Sequence, residues 1–501
     1  MKNMTLENLA WACVGKLVWD GPLPQEEAES VVIDSRKAQK GSVFIAVKGE
    51  RVDGHRFIPD VFEKGALGVI CEELSEKPAG PCILVKDSLK ALRDIAAFYR
   101  EQLPVKVVGI TGSVGKTSTK EFIAAVLSQK YRVHKTQGNY NNEIGVPLTV
   151  LSMPEDAEAA VLEMGINHFG EMHRLSRIAQ PDICVMTNIG QCHLEFLGSR
   201  EGILKAKSEM FDYMKEDGCV ILNGDDDMLS AITQVKGKKP LFYGIPTGPA
   251  ADMDGGCGED GEPGMHGRAP GSAGKYDVYA EKIRMKGLLG SEAVFVHDGE
   301  KFPVRIPLPG EHMVYNALAA AAVGFQLGLT EEEIAEGIAS TQGVNGRSRI
   351  VQAGEWVLID DCYNANPVSM EAAIDLLLQA KENGSDSRTV AVLGDMFELG
   401  EEEKKLHERV GRCCVEKGAD CLICAGTLSH AMYEGALDAA KETGSRPSGG
   451  IHYFPDRQEL LAGIPDLLMP GDTILVKASH GMGFEEVVKL LLTKQPQNQK
   501  R

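Results

Sequence analysis

Nothing in the chain approaches the unbroken apolar run of about 18 residues that a helix needs to cross a bilayer, so no membrane span is expected. The opening, MKNMTLENLAWACVGKLVWDG, has no basic segment followed by an uninterrupted apolar stretch and is not read as a signal peptide. Basic charge is in short supply: 53 Lys and Arg face 72 Asp and Glu, a formal net charge of −19. That balance disfavours a nucleic-acid or anionic-membrane partner, and any anionic substrate must meet lysines and arginines placed where it binds. A disulfide framework is also missing. The 12 cysteines are spread over 501 residues, mostly in apolar runs such as DICVMTNI, CVILNG and CLICAG, where cysteine acts as a small hydrophobe. Cys421 and Cys424 have C-x-x-C spacing but bracket Leu-Ile in a buried-strand pattern, with no second pair to complete a metal site. A reducing cytoplasm is the expected compartment and a monomer the expected state. No internal repeat of 20–50 residues is visible.

What is present is more chain than one ordinary core can use, at 43% hydrophobic and 25% charged, so several domains are expected. Residues 1–103 carry short β-type runs (VVIDS, SVFIAV, LGVICEE) and amphipathic helices (FIPDVFEKG, SLKALRDIAAFYR). From 104 to 344, strands alternate with helices: VKVVGI, TSTKEFIAAVLSQ, AVLEMG, DICVMTNI, CVILNGDD. That rhythm predicts a mostly parallel sheet covered by helices. Within it, 247–275 is Gly-rich, nearly free of large apolar residues, and reads as a mobile surface insertion. β-patterned segments and the Ala-rich helix HMVYNALAAAAVGFQLG follow. From 345 to 501 the alternation resumes (WVLIDDC, SMEAAIDLLLQA, RTVAVLGDM, CLICAG, DTILVKAS) and predicts a second open, Rossmann-like α/β domain.

At the first joint of the central region, VKVV runs into GITGSVGKTSTKE, residues 109–121. The strict phosphate-loop pattern wants glycine where Ile110 stands, yet T-G-S-V-G-K-T keeps the working parts. Gly112 and Gly115 let the backbone curl so that N–H groups point at phosphate oxygens. Lys116 can bridge the outer phosphates, and the Thr117 hydroxyl can hold Mg²⁺ at a helix N-terminus. The plainer reading is a Gly-rich turn with an exposed lysine.

Three further residues stand at strand ends or helix starts of the same domain: Glu163 at the carboxyl end of AVLEM, His193 after DICVMTNI, and Lys207 on the following helix. Groups at the carboxyl ends of strands in an open α/β sheet converge on the ligand crevice. Glu163 could therefore share a Mg²⁺ with Thr117. His193 is unusual for Mg²⁺, which prefers oxygen donors, and alone reads as a cap or core histidine. Lys207 alone reads as a solvated helix lysine. The alternative is an amine with depressed pKa that adds CO₂, turning a cation into an oxygen-donor carbamate.

Five stretches, 111–119, 138–149, 163–171, 187–211 and 360–370, together resemble the Mur ligase superfamily, ATP-dependent amide-forming enzymes of bacterial cell-wall synthesis. The forms GSVGKTSTKE, GNYNNEIGVPLT, EMGINHFGEM, TNIGQCHLEFLGSREGILKAKSEMF and DDCYNANPVSM are similar to the branch that joins D-alanyl-D-alanine to UDP-MurNAc-tripeptide, rather than the branch adding the third residue. The resemblance implies three α/β domains, the first binding the UDP-sugar and the central one ATP. It also implies ATP, two Mg²⁺ ions and a CO₂-derived carbamate on Lys207.

The implied roles fall on individual positions. Gly112, Ser113, Val114, Gly115, Lys116, Thr117 and Ser118 would hold the ATP phosphates. Thr117 and Glu163 would bind one Mg²⁺, and Glu163, His193 and carbamylated Lys207 the second. Asn316 matches an adenine-contacting asparagine, and Met313 stands where many relatives have Asn. Arg347 and Asp361 match residues that close on phosphate and ribose. Asp34, Ser35 and Arg36, with Asp53, Gly54 and His55, resemble the UDP-sugar region. Asn139 and Asn141 belong to a loop facing the ligand cleft, and Tyr363, Asn364 and Asn366 are expected to meet substrate. Lys477-Ala-Ser-His480 stands where the family often ends in arginine.

Plainer readings accompany these. Asp34–Arg36 and Asp53–His55 have ordinary turn chemistry, and Asn364–Asn366 before Pro367 suits a helix cap. Three rival activities are a sister ligase such as a folate polyglutamylating enzyme, a P-loop kinase or motor, and a non-catalytic nucleotide-binding scaffold.

Overall fold

The computed structural model describes residues 1–49, 52–74, 78–246, 275–382, 387–444 and 446–493. The expected mobile insertion, 247–275, lies outside the described residues in all but its last residue, Lys275. Three sheets organise the rest, and the chain is a three-domain α/β protein.

The first sheet has five strands in the order Lys16–Val18, Cys82–Leu84, Gly68–Cys71, Ser42–Ile45 and Ser30–Val32, parallel except for the first. SVFI and GVIC are buried at every position, as strands covered on both faces must be. Helix Ser88–Glu101 carries this domain onto the next. Its Arg100 is buried and donates from Nε to Ala179 O (3.0 Å) and from Nη1 to Leu103 O (3.1 Å). Four carbonyls and the Asp182 carboxylate surround that guanidinium, so the charge is compensated where it is desolvated. Tyr99, Leu103, Leu175 and Ile178 belong to one apolar core continuous across both domains.

The central sheet has nine strands, ordered Glu300–Ile306, Ser291–His297, Val278–Met285, Leu241–Gly244, Cys219–Asn223, Ile183–Met186, Lys106–Thr111, Ala159–Glu163 and Val133–Lys135. Pairing is parallel except for the last hairpins over 278–306. Helices Lys116–Leu127 and Glu311–Gln326 pack on one face. The second is alanine-rich and its Ala317–Ala322 run is buried, so small side chains let it lie close.

The third sheet runs Arg349–Ala353, Trp356–Asp360, Thr473–Lys477, Thr389–Gly394, Cys421–Ala425 and Ile451–Phe454, parallel after the opening hairpin. It has its own core on each face. Cys421 and Cys424 lie within it; every cysteine of the described residues is free, and all but half-buried Cys219 are buried. No helix among the described residues is long and apolar enough to cross a membrane.

Candidate active site

Register places the chemistry. Ile110 pairs with Glu163 and Thr111 with Met186, so the phosphate loop, Glu163 and the segment from Thr187 leave three adjacent interior strands together at their carboxyl ends. Gly112 has φ 151° and Gly115 φ 84°, and a Cβ on Gly112 would stand 1.9 Å from Thr187 Oγ1. Only glycine fits there. The loop is laced to the neighbouring turn: Ser113 N donates to Asn188 O (3.0 Å), Val114 N to Asn188 Oδ1 (3.0 Å), and Thr187 Oγ1 to Val114 O (2.6 Å). Lys116 curls over its own loop and donates to Gly112 O at 2.8 Å. Burial, with the charge of Arg347 nearby, holds its pKa below the ordinary lysine value, against the pull of Cys192 and Glu163. Ser118 follows on the helix that Lys116 opens.

Glu163 is 1% exposed. Its Oε1 accepts from Thr117 Oγ1 (3.1 Å) and Asn141 Nδ2 (2.8 Å), while Oε2 is buried with no hydrogen-bond partner. Lys120 Nζ lies 3.9 Å from that Oε2 and donates to Thr136 O. Lys207 is also 1% exposed. Burial pushes its pKa down to about 8, aided by the Lys116 charge and opposed by the Cys192 thiol. Its amine makes no hydrogen bond or ion pair among the described residues. Cys192 donates to Ser113 Oγ at 3.1 Å, joining this segment to the loop. His193 takes a left-handed backbone (φ 54°) and turns Nδ1 to Glu398 Oε2 of the C-terminal domain, 2.6 Å away.

A cleft of about 250 Å³ separates the central and C-terminal domains. It is lined by Ser113, Lys116, Cys192 and His193 on one side and by Tyr363, Asn364, Asn366, Glu398 and His480 on the other. A larger cavity of about 390 Å³, between Glu121, Lys135 and the 340–344 connection, contains none of these groups. The Arg347 guanidinium lies 4.0 Å over the Tyr363 ring, and His480 stacks on that ring at 5.3 Å. Asp361 accepts from Ser348 N (2.8 Å) and pairs with Lys477 at 2.6 Å. Burial lowers the pKa of His312, near that pair, against the pull of Asp361. Asn366 caps helix Pro367–Glu382 through Ser369 N, and Asn364 Oδ1 accepts from Ala365 N.

The remaining sequence-derived residues lie elsewhere or take structural partners. Asn316 sits against Gly115 and accepts from Thr119 Oγ1, and its amide donates to Met313 Sδ at 3.4 Å. Asn139 is exposed, and its carbonyl accepts from Asn141 N. In the first domain Asp34 caps the turn Ser35–Lys37, with Arg36 folded back on it. That hydrogen bonding lowers the Asp34 pKa to about 2. Asp53 orients His55, which accepts from Glu72 N, and Gly54 is pressed against the backbone of Val47. Neither turn touches the cleft residues above.

Three family models match in order: the Mur ligase family catalytic domain over 27–100, the Mur ligase middle domain over 110–324, and the Mur ligase glutamate ligase domain over 346–480. The UDP-N-acetylmuramoyl-tripeptide–D-alanyl-D-alanine ligase of Bacillus subtilis (strain 168) is 37% identical over 98% of this chain and 99% of its own. The chain belongs to the Mur ligase family. Within the family its likeness is to the MurF branch. The crystal structure of MurF from Acinetobacter baumannii matches with a TM-score of 0.83 at 32% identity, over 98% of this chain and 99% of that one. MurF from Thermotoga maritima in complex with ADP gives 0.75 at 28%, over 92% and 97%.

As a Mur ligase site the arrangement includes residues that pattern reading missed. Lys120, given no role from the sequence, is buried against Glu163. Asn188 and Glu398 reach the site only through tertiary contact, and Lys477, noted in the sequence only as the start of a family-matching stretch, reaches it by pairing with Asp361. Among the described residues, no three His, Cys, Asp or Glu side chains cluster as metal ligands. A divalent cation here would draw on donors beyond those types. The orphaned Glu163 oxygen beside the Thr117 hydroxyl suits a hard cation, and the unpaired, readily neutral Lys207 amine suits a carbamate.

Proposed function

We propose that this Mur ligase joins D-alanyl-D-alanine to the terminal carboxylate of UDP-MurNAc-tripeptide, converting ATP to ADP and phosphate through an acyl phosphate, as a cytoplasmic monomer. The observation that carries the reading is the convergence, at the carboxyl ends of the central strands, of the Lys116 loop, the Thr117–Glu163 pair and the desolvated Lys207, facing Arg347 across the domain boundary. The names of the relatives support the choice of substrates.

A carboxylate is a poor electrophile, and its repulsion from a triphosphate opposes their approach. The loop from Gly112 to Ser118 would cradle the phosphates through backbone N–H groups, and Lys116 would leave Gly112 O to bridge the outer pair. The carboxylate oxygen then takes the γ-phosphoryl group and ADP departs. The neutral amine of the dipeptide attacks the acyl carbon, the C–O bond to phosphate breaks, and the amine loses a proton. Arg347, braced on Tyr363, would close on the transferred charge, and Asp361 and Asn316 would hold the nucleoside.

Thr117 and Glu163 would hold one Mg²⁺, and Glu163, His193 and Lys207 as carbamate the second. Bound there, the ions would neutralise charge on the triphosphate. Asp34, Ser35, Arg36, Asp53, Gly54 and His55 would serve the UDP-sugar, with Asn139, Asn141, Tyr363, Asn364 and Asn366 nearer the peptide.

The test is dipeptide-dependent phosphate release by purified protein, with product mass measured for candidate UDP-MurNAc-tripeptides. Release without an amide product would sink the reading.

A further inference from the structure

Glu398 and His193 meet across the boundary between the central and C-terminal domains, with Oε2 and Nδ1 2.6 Å apart. Both are non-glycine residues in the left-handed region, φ 62° and 54°, a conformation that costs energy unless its surroundings impose it. The two turns abut: a Cβ on Gly400, two residues past Glu398, would lie 3.8 Å from Glu195 Cα, two residues past His193. Neither side chain has another hydrogen-bond partner among the described residues, and both line the cleft that holds Lys116 and Cys192.

The chemistry of the pair is directional. A carboxylate only accepts, so Nδ1 must carry a proton, and in the neutral ring that leaves the lone pair on Nε2. As a mere domain latch the contact would achieve little. The His193 side chain is 21% exposed and that of Glu398 43%, and solvated ion pairs contribute weakly. Fixing a ring, by contrast, needs only one well-placed acceptor.

We propose that Glu398 is a positioning residue: on domain closure it sets the tautomer and orientation of His193, so that a C-terminal carboxylate completes a site begun in the central domain. The inference rests on the proposed role of His193. It makes closure a condition of catalysis at one named atom.

The experiment uses the full-length enzyme with ATP, UDP-MurNAc-tripeptide and D-alanyl-D-alanine, and the variants Glu398→Ala, Glu398→Gln, His193→Ala and Glu398→Ala/His193→Ala. Glu398→Ala should lower kcat about 10- to 100-fold, the usual range for loss of a group that orients a ligand side chain. KM for ATP should stay within about twofold, by the same logic that separates orientation from binding. Glu398→Gln should recover most of the loss, because its amide oxygen still accepts from Nδ1–H. In the His193→Ala background, Glu398→Ala should remove nothing more from the residual rate.

A readout independent of turnover is the two-bond ¹H–¹⁵N spectrum of histidine-labelled protein. His193 should show the Nδ1–H tautomer in the parent and Glu398→Gln proteins and a mixture in Glu398→Ala. An unaltered tautomer, an unchanged kcat in Glu398→Ala, or an equal additional loss without His193 overturns the inference. Full turnover by His193→Ala would instead overturn the role given to His193, and this inference with it.

Discussion

The Lys120 ammonium stands 3.9 Å from Glu163 Oε2, with both side chains almost wholly buried. That oxygen has no hydrogen bond, so the lysine compensates it by charge alone, while Thr136 O and Glu121 hold the lysine in place. Removing one member of a buried pair leaves the other desolvated and uncompensated. Lys120→Met should therefore destabilise the protein by about 3 kcal/mol in urea unfolding, within the range for broken buried pairs. Adding Glu163→Gln should return part of that stability. Independent, additive losses would show that the two groups do not interact.

Gly112 should tolerate no side chain. Its φ of 151° leaves no room, because Thr187 Oγ1 lies 1.9 Å from where a methyl group would stand, and that hydroxyl is engaged with Val114 O. Gly112→Ala must open the loop, so ATP affinity by calorimetry should fall at least about tenfold, roughly 1.4 kcal/mol. Gly237→Ala is the control. Its φ is 76° but nothing lies within 4 Å, so only backbone strain of about 1 kcal/mol is expected, with nucleotide affinity kept. Equal effects of the two substitutions would count against the steric account.

Legibility of the fold followed burial. Strands covered on both faces, such as VVGI, TVAVLG and CLICA, read as continuous apolar runs because every position is inside. Lys16–Val18, Val133–Lys135 and Ile451–Phe454 escaped notice, being short strands at sheet edges that are half-exposed along most of their length. The same division holds at the site. The phosphate loop and Glu163 carry local patterns, whereas Lys207 alone reads as a solvated helix lysine and only the family resemblance singles it out. Glu398 faces His193 across 205 residues of chain, and Lys477 meets Asp361 across 116, distances at which periodicity is silent. Lys120 lies in an otherwise recognised helix, but nothing in KTSTKE says which lysine turns inward.

Tyr363 should matter through its ring. Both the Arg347 guanidinium and the His480 imidazole pack on it, so loss of the ring frees the arginine while loss of the hydroxyl leaves the stack. A cation–π contact of this kind contributes about 1 kcal/mol, roughly fivefold in rate. Tyr363→Ala should lower kcat/KM for ATP by at least about that factor, and Tyr363→Phe by clearly less. A Phe variant as impaired as Ala would assign the effect to the hydroxyl instead.

Lys207 has a pKa near 8, set mainly by burial. At pH 7 roughly one amine in ten is then neutral, against fewer than one in a thousand for an ordinary lysine. Only the neutral form has a lone pair to attack CO₂, after which the nitrogen gives up a proton and the side chain becomes an anion. The sign follows: protonation blocks the reaction below about pH 8, and raising the pH relieves the block. Enzyme stripped of CO₂ should regain turnover when CO₂ is restored. At fixed dissolved CO₂ the rate of recovery should climb roughly ninefold from pH 6 to pH 7 and flatten above pH 8. Lys207→Ala should not turn over, and acetate or formate should restore part of the rate by supplying the missing carboxylate, as phosphate release would record. Native mass spectrometry should show about 44 Da added to the parent, the mass of CO₂, and nothing on Lys207→Ala. Undiminished turnover by Lys207→Ala would leave the buried amine with a structural part only.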